Sequence, residues 1–372
     1  MIETKLIKKA IFFFSIISLF YISYVLKNFQ LLLISTCFLF LFGFLFKIVN
    51  KNFLTSIFSI LLVITIMELF LFFKNNNKII ITNNNSNIVK NIKYEKSFLG
   101  YKPISGIQNH KIISNNSTIL DAHYTIGDKG FRLTPQKNNL RKEKVFNFFG
   151  GSFVFGWGLN DNETLPYFSQ TYFDEWKINN YGVSGYGIHQ MLAQIEKEGV
   201  NGDINILITH VPHIPRATCK RDYSFGTPKY ILKKGKIVRS GFCNYGYLNF
   251  LPIPRIVGSI INRSQIKILL DKILYRKNDM DENGIELYLA MIKKINHIIN
   301  NNDKKFFLGY INNQSEIDKF ILKNLNKNNI NIIDLSLVES DKTYNLTDGH
   351  PNKEANKKRA EIIWDYLKNT SL

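Results

Sequence analysis

A serine set in a glycine turn, and an Asp-x-His pair near the far end of the chain, are the residues with chemistry to offer. The apolar run Val145–Phe149 breaks into Gly150-Gly151-Ser152 and continues as Phe153-Val154-Phe155-Gly156-Trp157-Gly158. A buried strand that ends in two glycines delivers the next side chain to the carboxyl edge of a sheet, where open α/β sheets bind ligands. Asp348-Gly349-His350-Pro351-Asn352 stands before a helical pattern of Ala355, Arg359, Ala360, Ile363 and Leu367. Residues two apart in an extended segment point the same way, so Asp348 and His350 can face one point. Pro351 and Asn352 suit the start of the helix that follows. Serine on one strand-end loop, with aspartate and histidine on another, is what nucleophilic acyl transfer needs. Ser152 attacks, His350 takes its proton, Asp348 fixes the imidazole, and backbone amides hold the oxyanion.

The elements that must hold these residues alternate as a βαβ series. Strands are expected at Val145–Phe149, Lys177–Asn180, Ile204–Thr209, Phe306–Tyr310 and Ile330–Leu335. Helices are expected over Thr164–Trp176, Ile188–Glu198, Ile285–Ile299 and Ser315–Leu325, and after Pro351. Five strands with interleaved helices make a parallel, doubly wound α/β sheet. Residues 98–144 form a lead-in of short strands and turns, in which His123 is read as structural. Residues 219–281 break the rhythm. A hairpin is expected around Lys233-Lys234-Gly235, followed by a basic, partly amphipathic helix over Arg255–Arg276. Such an insertion serves as a substrate cap or rests on a membrane surface; the sequence leaves both open.

These blocks resemble the SGNH (GDSL-like) hydrolase family. GGSFVFGWG is similar to its first block, with Ser152 as nucleophile, and Asn180–Gly187 to its second, with Gly185 at the oxyanion position. Asp348 and His350 match its last block, at Asp-x-His spacing rather than the commoner Asp-x-x-His. The likeness runs from Phe146 to the C-terminus and leaves the insertion unmatched. It implies an esterase or acyltransferase with a flavodoxin-like three-layer α/β/α fold and no metal or organic cofactor. The third-block asparagine is missing after Ile204–Thr209. His213 is nearest in register, and its N–H can donate to an oxyanion or serve as an ordinary loop contact. Asp334 and Asp341 stand close enough in sequence to be alternative orienting acids.

The first 74 residues hold three apolar runs, Ala10–Leu26, Leu31–Phe46 and Phe53–Phe73. Against the roughly 20 apolar residues that span a bilayer, they are read as three transmembrane helices. Lys5, Lys8 and Lys9 set the N-terminus inside. Residues 75–97 then read as a linker, and residues 98–372 as a catalytic domain on the outer side of the cytoplasmic membrane. Glu68, near the outer end of the third run, is read as reaching the interface. The net charge of +19 comes from lysines scattered among asparagines, with no dense basic block or aromatic stacking pattern. Nucleic acid is therefore excluded as a partner, and anionic headgroups fit as well. Three cysteines give no zinc spacing; Cys219 and Cys243 are free to pair in an oxidising compartment. The expected activity is that of a serine esterase or O-acyltransferase on an acylated envelope glycan or a lipid ester. In the transferase form a membrane partner would supply the acyl donor. The alternative is a non-catalytic glycan-binding module.

Overall fold

The structure, a computed structural model, describes residues 59–60, 62–71, 86–114, 117–136, 143–224, 226–243, 264, 266, 282–337 and 343–370. The chain divides into two compact units, Met1–Asn84 with Gly246–Asn278, and Asn85–Tyr245 with Asp279–Leu372.

In the first unit the described residues are helical at 59–60 and 62–71. Glu68 is fully buried and accepts hydrogen bonds from Ser264 Oγ (2.9 Å) and Ile266 N (3.0 Å). The expectation of three transmembrane helices is corrected here. Among the described residues no helix is long and apolar enough to cross a membrane. Glu68 meets Ser264 and Ile266 rather than reaching an interface. Ala10–Leu26, Leu31–Phe46 and the remainder of the third run lie outside the described residues, as does Arg255–Arg276.

The second unit begins with short antiparallel pieces. These are β1 (Ser86–Lys90), β2 (Tyr94–Ser97), β3 (Gly100–Pro103), β4 (Gly106–Ser114) and β5 (Ser117–Ile126), which pair as β1-β4-β5 and β2-β3. Then come β6 (Lys144–Gly150), α1 (Ser152–Phe155), α2 (Leu165–Ser169), β7 (Trp176–Gly182), α3 (Ile188–Glu198), β8 (Ile204–Thr209) and α4 (His213–Ala217). The hairpin β9 (Pro228–Lys233) and β10 (Lys236–Phe242) follows, tied to α4 by the Cys219–Cys243 disulfide. The chain closes with α5 (Glu282–Asn300), β11 (Lys305–Tyr310), α6 (Glu316–Asn326), β12 (Ile332–Asp334) and α7 (Lys353–Leu367).

Strands β6, β7, β8, β11 and β12 form one parallel sheet in the order β12-β11-β8-β6-β7. The first strand of this sheet lies between the second and third, which is the flavodoxin-like order, and the winding reverses between β6 and β8. Period-two alternation splits the core. Phe146, Phe148, Ile206, Ile208 and Phe307 pack against α2 and α7, whereas Phe149, Leu207, Phe306 and Leu308 pack against α3 and α5. Helices on both faces make three layers. Asn147, buried in β6, bonds to Asn205 of β8 (3.0 Å) and receives Asn179 of β7 (2.9 Å), a polar rung fixing the register of all three strands. The expected helix Thr164–Trp176 stops at Ser169, whose hydroxyl bonds back to Leu165 O (3.0 Å), and Trp176 already belongs to β7.

Candidate active site

Ser152 is held by a turn that only glycine permits. A Cβ on Gly150 would collide with Val154, and Gly156 ends α1 at φ +78° while its amide donates to Ser152 O (2.9 Å). Ser152 is thus the first residue of a one-turn helix, its own N–H among those a helix leaves unpaired. It is 8% exposed and lines a small cleft with Gly151, Phe153, Thr209, His210 and His213, closed by Ile208 and Ile311. The cleft therefore sits at the carboxyl ends of β6 and β8, where the strand order reverses.

His213 enters from the first turn of α4. Its Nδ1 lies 2.9 Å from Thr209 Oγ1, which is 2.7 Å from the Tyr288 hydroxyl of α5. Burial, with His210 and the positive charge of Arg216 beside it, pushes the His213 pKa well below 6.5, so its ring is neutral with one N–H. Burial likewise raises Tyr288, keeping its proton on. Thr209 is the one hydrogen-bond acceptor recorded for Tyr288 among the described residues. Every group is satisfied when Tyr288 donates to Thr209 and Thr209 donates to His213 Nδ1. That assignment leaves the proton on Nε2, the atom 3.0 Å from where a Gly151 side chain would begin. His213 can therefore donate a hydrogen bond at the nucleophile's turn.

His210, which sequence reasoning passed over, caps β8 at the same cleft, with its ring 4.6 Å from that of His213 and 5.0 Å from Phe153. Burial and the neighbouring charges of Arg216, Arg359 and His350 push its pKa down to about 3. Its signal was its place, directly after the most buried strand of the series.

The loop after β12 carries the acid and base. An Asn345–Pro351 bridge and the bond from Leu346 N to His350 O (2.7 Å) close it, and Asn352 caps α7 through the amides of Glu354 and Ala355. Asp348 Oδ1 accepts the His350 amide (3.1 Å). Oδ2 stands 3.0 Å from His350 Nδ1, at ion-pair distance but out of line for a straight N–H···O bond. Burial alone would raise the Asp348 pKa. The His350 amide and the imidazole beside it, with the Trp157 indole nearby, outweigh burial and hold the carboxyl below its usual range. The His350 ring meets Phe153 (5.8 Å between centroids) and Trp157 (6.0 Å), both neighbours of the nucleophile. His350 does not line the cleft, and no Ser152–His350 hydrogen bond is recorded among the described residues.

Gly185 lies on the turn after β7, at φ +85°, with the Tyr101 hydroxyl occupying the space a side chain would need. The turn is drawn onto the nucleophile's loop by Val183 N bonding to Gly150 O (3.2 Å), but Gly185 is outside the cleft lining. Asp334 spends Oδ1 on the Ser336 amide (2.9 Å), and Asp341 is outside the described residues. His123 sits on β5, exposed and paired with Asn109.

No protein-family model matches the chain, and no curated protein matches it. Among solved structures it is similar to a member of the lipolytic protein G-D-S-L family from Veillonella parvula, at 13% identity over 60% of this chain and 98% of that one (TM-score 0.33). It is also similar to a catalytic mutant of an acetylxylan esterase from Geobacillus stearothermophilus, at 10% identity over 62% and 96% (TM-score 0.35). A third is an alpha/beta hydrolase enzyme from the metagenome of Lake Arreo, Spain, at 8% over 62% and 97% (TM-score 0.37). Likenesses this distant leave the activity to be argued from the site itself.

Proposed function

We propose that this chain is a serine esterase or O-acyltransferase that works on an ester-linked acyl group of an envelope carbohydrate or a lipid. One observation carries the reading. Ser152 heads a helix at the reversal point of the sheet and shares its cleft with a neutral imidazole whose N–H is free to donate. Ser152 Oγ attacks the ester carbonyl while His350 takes the proton, oriented by Asp348. The oxyanion that forms is held by the Ser152 amide, the Gly185 amide and His213 Nε2–H. The C–O bond then breaks, and His350 returns the proton to the departing alkoxide. Water or a sugar hydroxyl, deprotonated by His350, releases the acyl group from Ser152. The choice between them separates hydrolase from transferase, and in the transferase form a membrane partner delivers the acyl donor. The Cys219–Cys243 disulfide favours an oxidising compartment outside the cytosol for this unit.

The test is turnover of p-nitrophenyl acetate by the full chain beside Ser152→Ala and His350→Ala. Both variants should lose most of the rate above background, because the members act as a unit. A second reading, a glycan-binding module without catalysis, draws on the lack of a recorded Ser152–His350 hydrogen bond. Fluorophosphonate labelling separates the two. Labelling of wild type but not of Ser152→Ala supports the enzyme; no labelling of either supports the binder.

A further inference from the structure

Arg216, at the end of α4, is a cation beside the nucleophile's turn, and among the described residues no carboxylate forms an ion pair with it. A Cβ placed on Gly151 would stand 3.0 Å from Arg216 Nη1 and 3.1 Å from Tyr186 O, so the guanidinium borders the residue before Ser152. Nη1 donates to Tyr186 O (2.9 Å) and Nε to the Tyr223 hydroxyl (3.1 Å). Both Nη2 protons and the second Nη1 proton have no recorded acceptor among the described residues. The contrast with Arg132 is direct. Arg132 is buried, spends its donors on four carbonyls and is neutralised by Asp161 at 2.7 Å.

Arg216 is half-buried, and the titratable groups around it among the described residues are His189, His210, His213, Tyr101 and Tyr223, none of which is a carboxylate. A partly desolvated guanidinium without a counter-charge attracts oxyanions more strongly than one in open water. Its free edge is a fork that matches carboxylate or phosphate. Its plane stands over the Tyr223 ring (5.5 Å), which is 44% exposed and forms an open aromatic wall beside it. A ring of that kind suits a sugar face.

We propose that Arg216 and Tyr223 form an anion subsite, so that the ester taken at Ser152 belongs to a sugar bearing a carboxylate or phosphate near the acylated oxygen. This inference rests on the esterase or acyltransferase reading for its chemistry, but not for its binding.

The full chain and Arg216→Gln would be compared on three esters: an O-acetylated galacturonate oligomer, an O-acetylated glucose phosphate and a neutral O-acetylated xylose oligomer. Wild type should prefer one anionic ester over the neutral one at least tenfold in kcat/KM, and the preferred ester names the source of the anion. Arg216→Gln should lose at least tenfold more on that ester than on the xylose ester, through KM, and Arg216→Lys should recover part of it. Equal losses on charged and neutral esters would overturn the subsite and reduce Arg216 to a pin for Tyr186. Calorimetric binding of unacetylated galacturonate trimer and of glucose phosphate to Ser152→Ala, with and without Arg216→Gln, removes the chemistry from the question. Binding lost with Arg216 but no turnover of any ester would keep the subsite and end the esterase reading. Turnover without charge preference would do the reverse, and neither binding nor turnover would end both.

Discussion

Thr209 Oγ1 lies 2.9 Å from His213 Nδ1, and this bond decides which way the imidazole can act. With Thr209 donating, the ring presents N–H at the nucleophile's turn; with the bond removed, nothing fixes the tautomer. Thr209→Val should therefore lower kcat on p-nitrophenyl acetate by on the order of tenfold with KM little changed, and His213→Ala by on the order of a hundredfold. Tyr288→Phe, which removes the donor behind Thr209, should fall in the same direction. A Thr209→Val enzyme with wild-type kcat would remove His213 from the oxyanion site.

Trp157 links the first chemical block to the last. Its indole lies beside Asp348 while its ring packs on buried His110 at 4.3 Å. Trp157→Phe keeps the packing and removes the indole N–H that faces Asp348. Asp348 is then free to turn from His350, and kcat should fall roughly tenfold while the unfolding midpoint moves little. Unchanged kcat would mean the Asp348–His350 contact alone orients the pair.

The Cys219–Cys243 bond closes a 24-residue separation around β9 and β10. A closed loop of that size limits the unfolded chain and stabilises the fold by about 2–4 kcal/mol. Urea unfolding of the full chain with and without reductant should show a loss of that size, and Cys219→Ser/Cys243→Ser should match the reduced protein. Equal midpoints would leave the bond without a stabilising role.

What the sequence revealed follows from how local each cause is. Alternating apolar runs and glycine breaks marked all five sheet strands, because burial on both faces writes itself into consecutive residues such as Ile204–Thr209. The Gly150-Gly151-Ser152 turn and the Asp348–His350 pair were legible for the same reason: their spacing is short. His213 was placed by register alone. What makes it a donor is Tyr288, seventy-five residues later in the chain, one apolar-face residue among many in α5. Arg216 looked like any basic residue until Gly151 and Tyr186 came beside it. The transmembrane set was read from apolar length alone; among the described residues no helix is long and apolar enough to cross a membrane, and Glu68 has polar partners nearly two hundred residues away in sequence.

Acid should unfold this protein earlier than its carboxylates require. His189, His210 and His213 are crowded by protein, and burial, helped by Arg216, depresses all three, His189 and His210 to about 3. In the unfolded chain they titrate near 6.5. Below that pH the unfolded state binds more protons than the folded one, so stability falls as pH drops from about 6.5 toward 3. Each group contributes up to about 1.4 kcal/mol per pH unit inside that window. Asp348, whose pKa is depressed, adds a loss of the same sign only near and below the ordinary carboxylate value of 3.8. Urea unfolding at pH 7 and pH 5 should show the midpoint falling well before the carboxylates titrate. His189→Gln, outside the cleft but bonded through Nε2 to Thr227 (3.0 Å), should flatten that slope, to which buried His110 also contributes. A midpoint constant between pH 7 and pH 5 would mean that these imidazoles gain their protons without unfolding the site, and the neutral His213 on which the oxyanion assignment depends would be lost with them.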